Sequence, residues 1–122
     1  MPILLVEIVT RPHEQLRSTL AKELADGAGE IFGSAPGGTW VKLYPITADR
    51  YAEGPGEEPD SFPVLVTILK AKSPSAELLQ FEVARLTAAI AETCDRPEEN
   101  VHLIYSPEGA GRVAFGGKLI QD

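Results

Sequence analysis

The apolar positions of this chain fall into two blocks with the same internal order. Ile3 to Val9 is an almost continuous run of apolar, mostly branched residues interrupted by Glu7 alone, and it reads as a buried strand. Thr10-Arg11-Pro12 ends the run. A proline at position 12 suits the first turn of a helix, where its missing N–H has no partner to lose. Leu16, Leu20, Leu24, Ala28, Ile31 and Phe32 then recur at helical spacing and make one apolar stripe. Gly27 and Gly29 weaken its last turns, and the stretch from Gly33 to Gly38 ends it. Thr39 to Ile46 follows as a second strand, with Pro45 indicating that it either frays or lies at a sheet edge.

The order then starts again. Pro63-Val64-Leu65-Val66-Thr67-Ile68-Leu69 parallels Pro2-Ile3-Leu4-Leu5-Val6-Glu7-Ile8, and Lys72-Ser73-Pro74 parallels Thr10-Arg11-Pro12. Ser73 is expected as an N-cap with Pro74 at the first helical position. Leu79, Val83, Leu86, Ile90 and Cys94 form the second stripe, and Val101 to Tyr105 is the matching strand. Leu16 and Leu78 both lie four residues after their helix prolines. Agreement of this kind across a whole unit is an internal repeat. Near the end, Val113-Ala114-Phe115, Gly116-Gly117 and Lys118-Leu119-Ile120 spell a hairpin around a Gly-Gly turn.

The expected fold class is therefore α+β. Two tandem β-α-β units form a four-stranded mixed sheet with two helices on one face, plus a C-terminal hairpin. The whole chain, 1–122, reads as one domain. Residues 2–48 form the first unit, 49–62 an acidic Pro- and Gly-rich surface linker, 63–106 the second unit and 107–122 the hairpin. Crossovers make the strands within each unit parallel. With both helices on one face, the other face carries Val and Leu that nothing in the chain covers, so another subunit is expected to bury it.

Composition adds limits. The 122 residues carry 11 Lys and Arg against 18 Asp and Glu, a formal charge of -7. That balance argues against nucleic acid and anionic membrane as partners. The longest apolar stretch, Phe62 to Leu69, is too short to span a bilayer. No secretory signal is legible at the start. Cys94 is the only cysteine, so a cytoplasmic location is the simplest expectation. No metal-ligand spacing appears, and no cofactor is expected.

A Met-Pro start, the duplicated β-α-β unit and two local stretches together carry a resemblance. The stretches are Asn100-Val101-His102-Leu103-Ile104-Tyr105 and Gly111-Arg112-Val113-Ala114-Phe115-Gly116-Gly117-Lys118-Leu119. The chain resembles the tautomerase superfamily over nearly its whole length. It is similar both to the short 4-oxalocrotonate tautomerase subunit and to the doubled 5-carboxymethyl-2-hydroxymuconate isomerases and macrophage migration inhibitory factor. The resemblance implies a homotrimer and a tautomerase (isomerase) activity on a small anionic 2-hydroxydienoate or enolpyruvate. Pro2 would then be the catalytic secondary amine once Met1 is removed. Such an amine titrates at roughly 7.7–8.0 in a peptide, and burial or nearby cations lower that value toward working pH. Pro63 holds the equivalent place in the second unit, but its nitrogen is an imide and has no basic lone pair.

The resemblance also implies cations for substrate carboxylates. Lys42 and His102 fall at the second-strand position of each unit, Arg11 follows the first strand, and Arg112 opens the hairpin. Each also reads as an ordinary surface or interface residue. Val113 replaces the phenylalanine of the short enzymes, leaving Phe115, Trp40 or Tyr105 to supply an apolar wall. Glu108 reads as a turn residue or a water-activating carboxylate, and Gly109-Ala110-Gly111 as a turn or an anion nest. Cys94 reads as core, and His13 as a helix-start residue without a partner. A second reading keeps the fold and drops the catalysis, leaving a binding or assembly protein. A ferredoxin-like regulatory module shares the repeat but neither the Met-Pro start nor the hairpin.

Overall fold

A computed structural model describes residues 2–56 and 61–121. Met1, residues 57–60 of the expected linker and Asp122 lie outside the described residues. Strand β1 (Ile3–Val9), helix α1 (Leu20–Phe32) and strand β2 (Trp40–Ile46) form the first unit. Strand β3 (Val64–Leu69), helix α2 (Ala76–Cys94) and strand β4 (Val101–Tyr105) form the second. Strands β5 (Ala114–Phe115) and β6 (Lys118–Leu119) make a separate two-stranded hairpin.

The sheet order is β2-β1-β3-β4. Each unit contributes a parallel pair, with Ile3 opposite Trp40 and Val64 opposite Val101. The two units join through β1 and β3, which run antiparallel with Val6 opposite Val66. This is the mixed sheet the duplication predicts, and Pro45 does lie on an edge strand, where its absent N–H leaves no ladder bond unmade. Leu4, Val6 and Ile8 of β1 and Val64, Val66 and Ile68 of β3 are fully buried. They pack with Leu20, Leu24 and Ala28 of α1 and Leu86, Ile90 and Cys94 of α2 in one core. Each large side chain so buried stabilises the fold by about 1.5–3 kcal/mol.

The period-2 alternation puts a second apolar set on the opposite face: Ile3, Leu5, Leu65, Leu69 and Ile104, with Trp40 and Tyr44 beside them. Trp40 is 52% exposed, Tyr44 52% and Ile104 54%. Polar residues interrupt this open face at Glu7, Lys42, Thr67 and His102.

Both helices start later than the sequence predicts. Residues 12–19 are turns and irregular chain rather than helix. His13 adopts a left-handed φ of 64°, and the Glu14 N–H donates to the Arg11 carbonyl at 3.0 Å. The cause lies in the interior. Arg96, only 5% exposed, draws the Glu14 carboxylate inward with bonds of 2.9 and 3.1 Å. A buried guanidinium needs such a partner, and a helix begun at Pro12 would have to give way to that contact. Leu16 still packs against the core. In the second unit Ser75, not Ser73, is the N-cap, its side chain accepting from the Leu78 N–H at 3.5 Å. Pro74 therefore precedes the helix, and the Ser73 N–H donates instead to Glu108.

Candidate active site

Pro2 is buried at one end of the sheet. Its carbonyl accepts from the Trp40 N–H at 3.0 Å, extending the β1–β2 ladder by one bond. Three chain segments converge on it. The loop after α1 runs from Gly33, whose left-handed φ of 66° terminates the helix, to Thr39. The antiparallel β1–β3 pairing brings the end of β3 beside the start of β1, with Leu69 opposite Ile3, so Lys70-Ala71-Lys72 follow directly at this end. The hairpin supplies Phe115.

Two cavities meet at Pro2. The first, about 180 Å³, is lined by Pro2, Ile3, Gly37, Gly38, Trp40 and Phe115. The rings of Trp40 and Phe115 meet edge to face, 5.1 Å apart at 78°. The second, about 350 Å³, is lined by Pro2, the loop from Phe32 to Ala35, and Lys70 to Lys72. The Lys70 ammonium donates to Glu82 at 2.8 Å and lies 4.9 Å over the Phe32 ring. Tyr105 donates its hydroxyl to the other Glu82 oxygen at 2.7 Å. Burial and the adjacent Glu82 carboxylate push the Tyr105 hydroxyl well above its usual range, so it stays a donor. Pro2 thus has an apolar, aromatic wall on one side and the cavity bearing Lys70 and Lys72 on the other, where Lys70 is ion-paired with Glu82.

The cations named from the sequence are distributed differently. Lys42 is exposed on the open face of β2, two residues along from Trp40, about 7 Å of strand. His102 is exposed on the same face of the other edge strand, opposite Leu65 and in the row of Glu7 and Tyr44. Arg11 follows the far end of β1, about 24 Å of strand from Pro2. Its guanidinium is paired there with Glu14 at 3.3 Å and the Asp95 carbonyl at 2.8 Å. Arg112 is exposed just before the hairpin. Within one chain none of the four lines either cavity at Pro2. Of the candidate aromatic walls, Trp40 and Phe115 are at the site, whereas Tyr105 serves the Glu82 network.

Lys70 and Lys72 are the cations the sequence reading passed over. The repeat itself carries the signal: they follow the first strand of the second unit as Arg11 follows that of the first. The N–H groups of Gly109, Ala110 and Gly111 all donate to carbonyls, of Lys70, Ala71 and Ile120, so this stretch is a turn and not an anion nest. Glu108 is held by the Ser73 N–H. Cys94 is core as expected, and burial pushes its thiol up to about 11. Among the described residues no group of three or more His, Cys, Asp or Glu is placed to hold a metal ion, and no helix is long and apolar enough to cross a membrane.

No protein-family model matches this sequence, and neither does any curated protein. Solved structures do match its fold. A fused 4-OT in an asymmetric trimer superposes with a TM-score of 0.77 at 14% identity, covering 96% of this chain and 94% of that one. The Leishmania major MIF2 gives 0.69 at 16% identity, over 98% and 97% of the two chains. FG41 malonate semialdehyde decarboxylase, inhibited by 3-bromopropiolate, gives 0.68 at 16%, over 93% and 90%. The likeness is one of fold, and it is the fold of the tautomerase superfamily that the sequence resemblance implied.

Proposed function

We propose that this tautomerase-fold chain interconverts the enol and keto forms of a small anionic substrate, a 2-hydroxydienoate or an enolpyruvate, with the Pro2 amine as general base and acid. One observation carries the reading. Pro2 is buried where an apolar cavity meets a cavity lined by Lys70 and Lys72.

Removal of Met1 frees the amine. Unprotonated near neutral pH, it takes the enol hydroxyl proton and returns a proton to carbon, while the lysines steady the dienolate between the two steps. The pyrrolidine ring holds the nitrogen in one orientation, which limits the entropy lost in aligning it. The assembly in this reading is a homotrimer, in which the open sheet faces wall a central apolar barrel. Lys42, His102, Arg11 and Arg112 then act from a neighbouring subunit, with His102 the first candidate to reach an adjacent Pro2. A cytoplasmic setting suits the buried, reduced Cys94.

The test compares protein with a free Pro2 amine against the form that keeps Met1, using phenylenolpyruvate and 2-hydroxymuconate and following ketonisation by absorbance. An amide nitrogen is not a base, so retention of Met1 should lower turnover by at least about 100-fold with the fold intact. Equal rates would remove Pro2 from the mechanism. No turnover by either form, with native circular dichroism, would leave the chain a binding or assembly role.

A further inference from the structure

Lys70 follows the end of β3 and meets three other elements. Its ammonium donates to Glu82 of α2 at 2.8 Å and lies 4.9 Å over the ring of Phe32, the last residue of α1. The Tyr105 hydroxyl, from β4, donates to the second Glu82 oxygen at 2.7 Å. Lys70 also lines the larger cavity at Pro2. We propose that Glu82 and Tyr105 are positioning residues of the Pro2 site. They hold the Lys70 ammonium at the cavity wall, so that it meets charge developing on the enol oxygen instead of following the substrate carboxylate. This rests on the reading of Pro2 as the acid-base group.

A lysine needs such restraint. Its ammonium is a point charge on a flexible four-carbon stem, and an unrestrained one pairs with whichever anion is already charged. In an enol acid that anion is the carboxylate, which keeps its charge throughout the reaction. Binding of that kind strengthens the ground state and the transition state alike and does not raise kcat. A group that acts on charge appearing only during proton transfer has to be fixed beforehand. The Lys70 and Glu82 side chains are only 19% and 13% exposed, so their pairing is little screened. Glu82 spends one oxygen on Lys70 and the other on Tyr105. Tyr105 stands opposite Ile68 in the β3–β4 ladder, so a sheet residue fixes the helix carboxylate that fixes the lysine. Burial and the carboxylate keep the Tyr105 phenol protonated, and it stays a donor. An ammonium carries three N–H donors; Glu82 takes one, which leaves two for an anion in the cavity. The other cation of this wall, Lys72, is exposed and lies two residues further along.

The test uses protein with a free Pro2 amine in three forms: wild type, Glu82→Gln and Tyr105→Phe. Glutarate, an unreactive dicarboxylate, is titrated by calorimetry, and kcat and KM are measured for phenylenolpyruvate and 2-hydroxymuconate. Glu82→Gln keeps an oxygen for Tyr105 and removes the charge that restrains Lys70. Glutarate should then bind about threefold tighter, because no carboxylate stands beside the ammonium. At the same time kcat should fall about tenfold, because the ammonium is no longer fixed. Tyr105→Phe changes no charge and should move both quantities in the same directions by less, which answers the question if the glutamine variant misfolds. Opposite movement of affinity and turnover is the signature, since a pair that serves stability alone shifts the urea midpoint and neither of these. A fall in kcat with glutarate binding unchanged or weaker overturns the proposal. Tighter glutarate binding with no turnover by any form sinks the Pro2 chemistry and leaves the restraint of Lys70 standing. An active enzyme whose affinity and kcat ignore both substitutions does the reverse.

Discussion

Arg96 enters the interior at the end of the sheet opposite Pro2 and donates to four carbonyls there, Phe62 at 2.6 Å, Val9 at 2.9 Å, Cys94 at 3.0 Å and Asp95 at 3.5 Å. Glu14 completes the set with a bidentate pair. Removing the guanidinium leaves these acceptors buried without donors, so Arg96→Met should lower the unfolding free energy by about 3–5 kcal/mol in a urea titration. Arg96→Lys should recover little of it, because an ammonium cannot reproduce the fork. The pair also sets an acid limit. The hydrogen bond from Arg96 holds the Glu14 carboxyl below its usual value of 4.5. As pH falls the unfolded chain takes up this proton first, so the contribution is complete above 4.5 and is lost as pH falls through the lower folded value. Urea midpoints of wild type and Glu14→Gln should therefore differ most above pH 5 and converge in acid; a constant gap would show that the Glu14 charge does not matter. Arg96 was illegible in the sequence for a physical reason. Between Asp95 and Pro97 it reads as one more loop cation, and only the closed fold reveals its six acceptors. Pro2, by contrast, stands out in the sequence because it follows Met1 directly and opens the first strand of a repeat.

At the scale of elements, period and punctuation carried most of the information. The four strands lie where the apolar runs put them, within a residue. The Gly-Gly turn is a tight hairpin, with φ of 57° and 87° at Gly116 and Gly117. The start of α1 was misplaced because Leu16 continues the helical spacing even though its backbone does not, and no local signal announces a long-range pull from Arg96. Lys70 and Lys72 were missed for a related reason. Which strand end meets Pro2 depends on the antiparallel pairing of β1 with β3, and periodicity is silent about pairing. The hairpin offers a test of its own. Alanine at both Gly116 and Gly117 forces left-handed backbone at about 1–2 kcal/mol per residue. The core lies elsewhere, so the urea midpoint should move little. Phe115 should come away from Trp40, red-shifting the indole emission; an unchanged emission maximum would mean that the hairpin is held by more than its turn.

For the molecule as a whole, the open face is the consequence of putting two helices on one side of four strands. Trimer formation through that face is tested by sedimentation at micromolar concentration, where a stable monomer would end the idea. A carboxylate buried there without a partner is costly, so Ile104→Asp should give monomers with a native circular dichroism spectrum. The Val6–Val66 pairing relates the two units by an approximate two-fold axis that matches Pro2 with Phe62, so the sequence parallel of Pro2 with Pro63 is one residue out of register, and the ends the axis exchanges are unlike. One end holds Pro2, and at the other the Arg96 guanidinium binds the Phe62 and Val9 carbonyls beside a cavity of about 430 Å³ lined by Val9, Pro12, Tyr51 and Phe62. A circular permutant beginning Met-Pro63, with the old termini joined by a flexible linker, makes the difference experimental. It would keep the strands and helices and gain a free prolyl amine at Pro63. That amine would face a guanidinium stripped of its Phe62 acceptor, with no lysine-lined cavity and no aromatic corner beside it. The permutant should fold and fail to ketonise either enol, since the duplicated scaffold sets the lysine-bearing and Trp40–Phe115 cavities beside Pro2 and not beside Pro63.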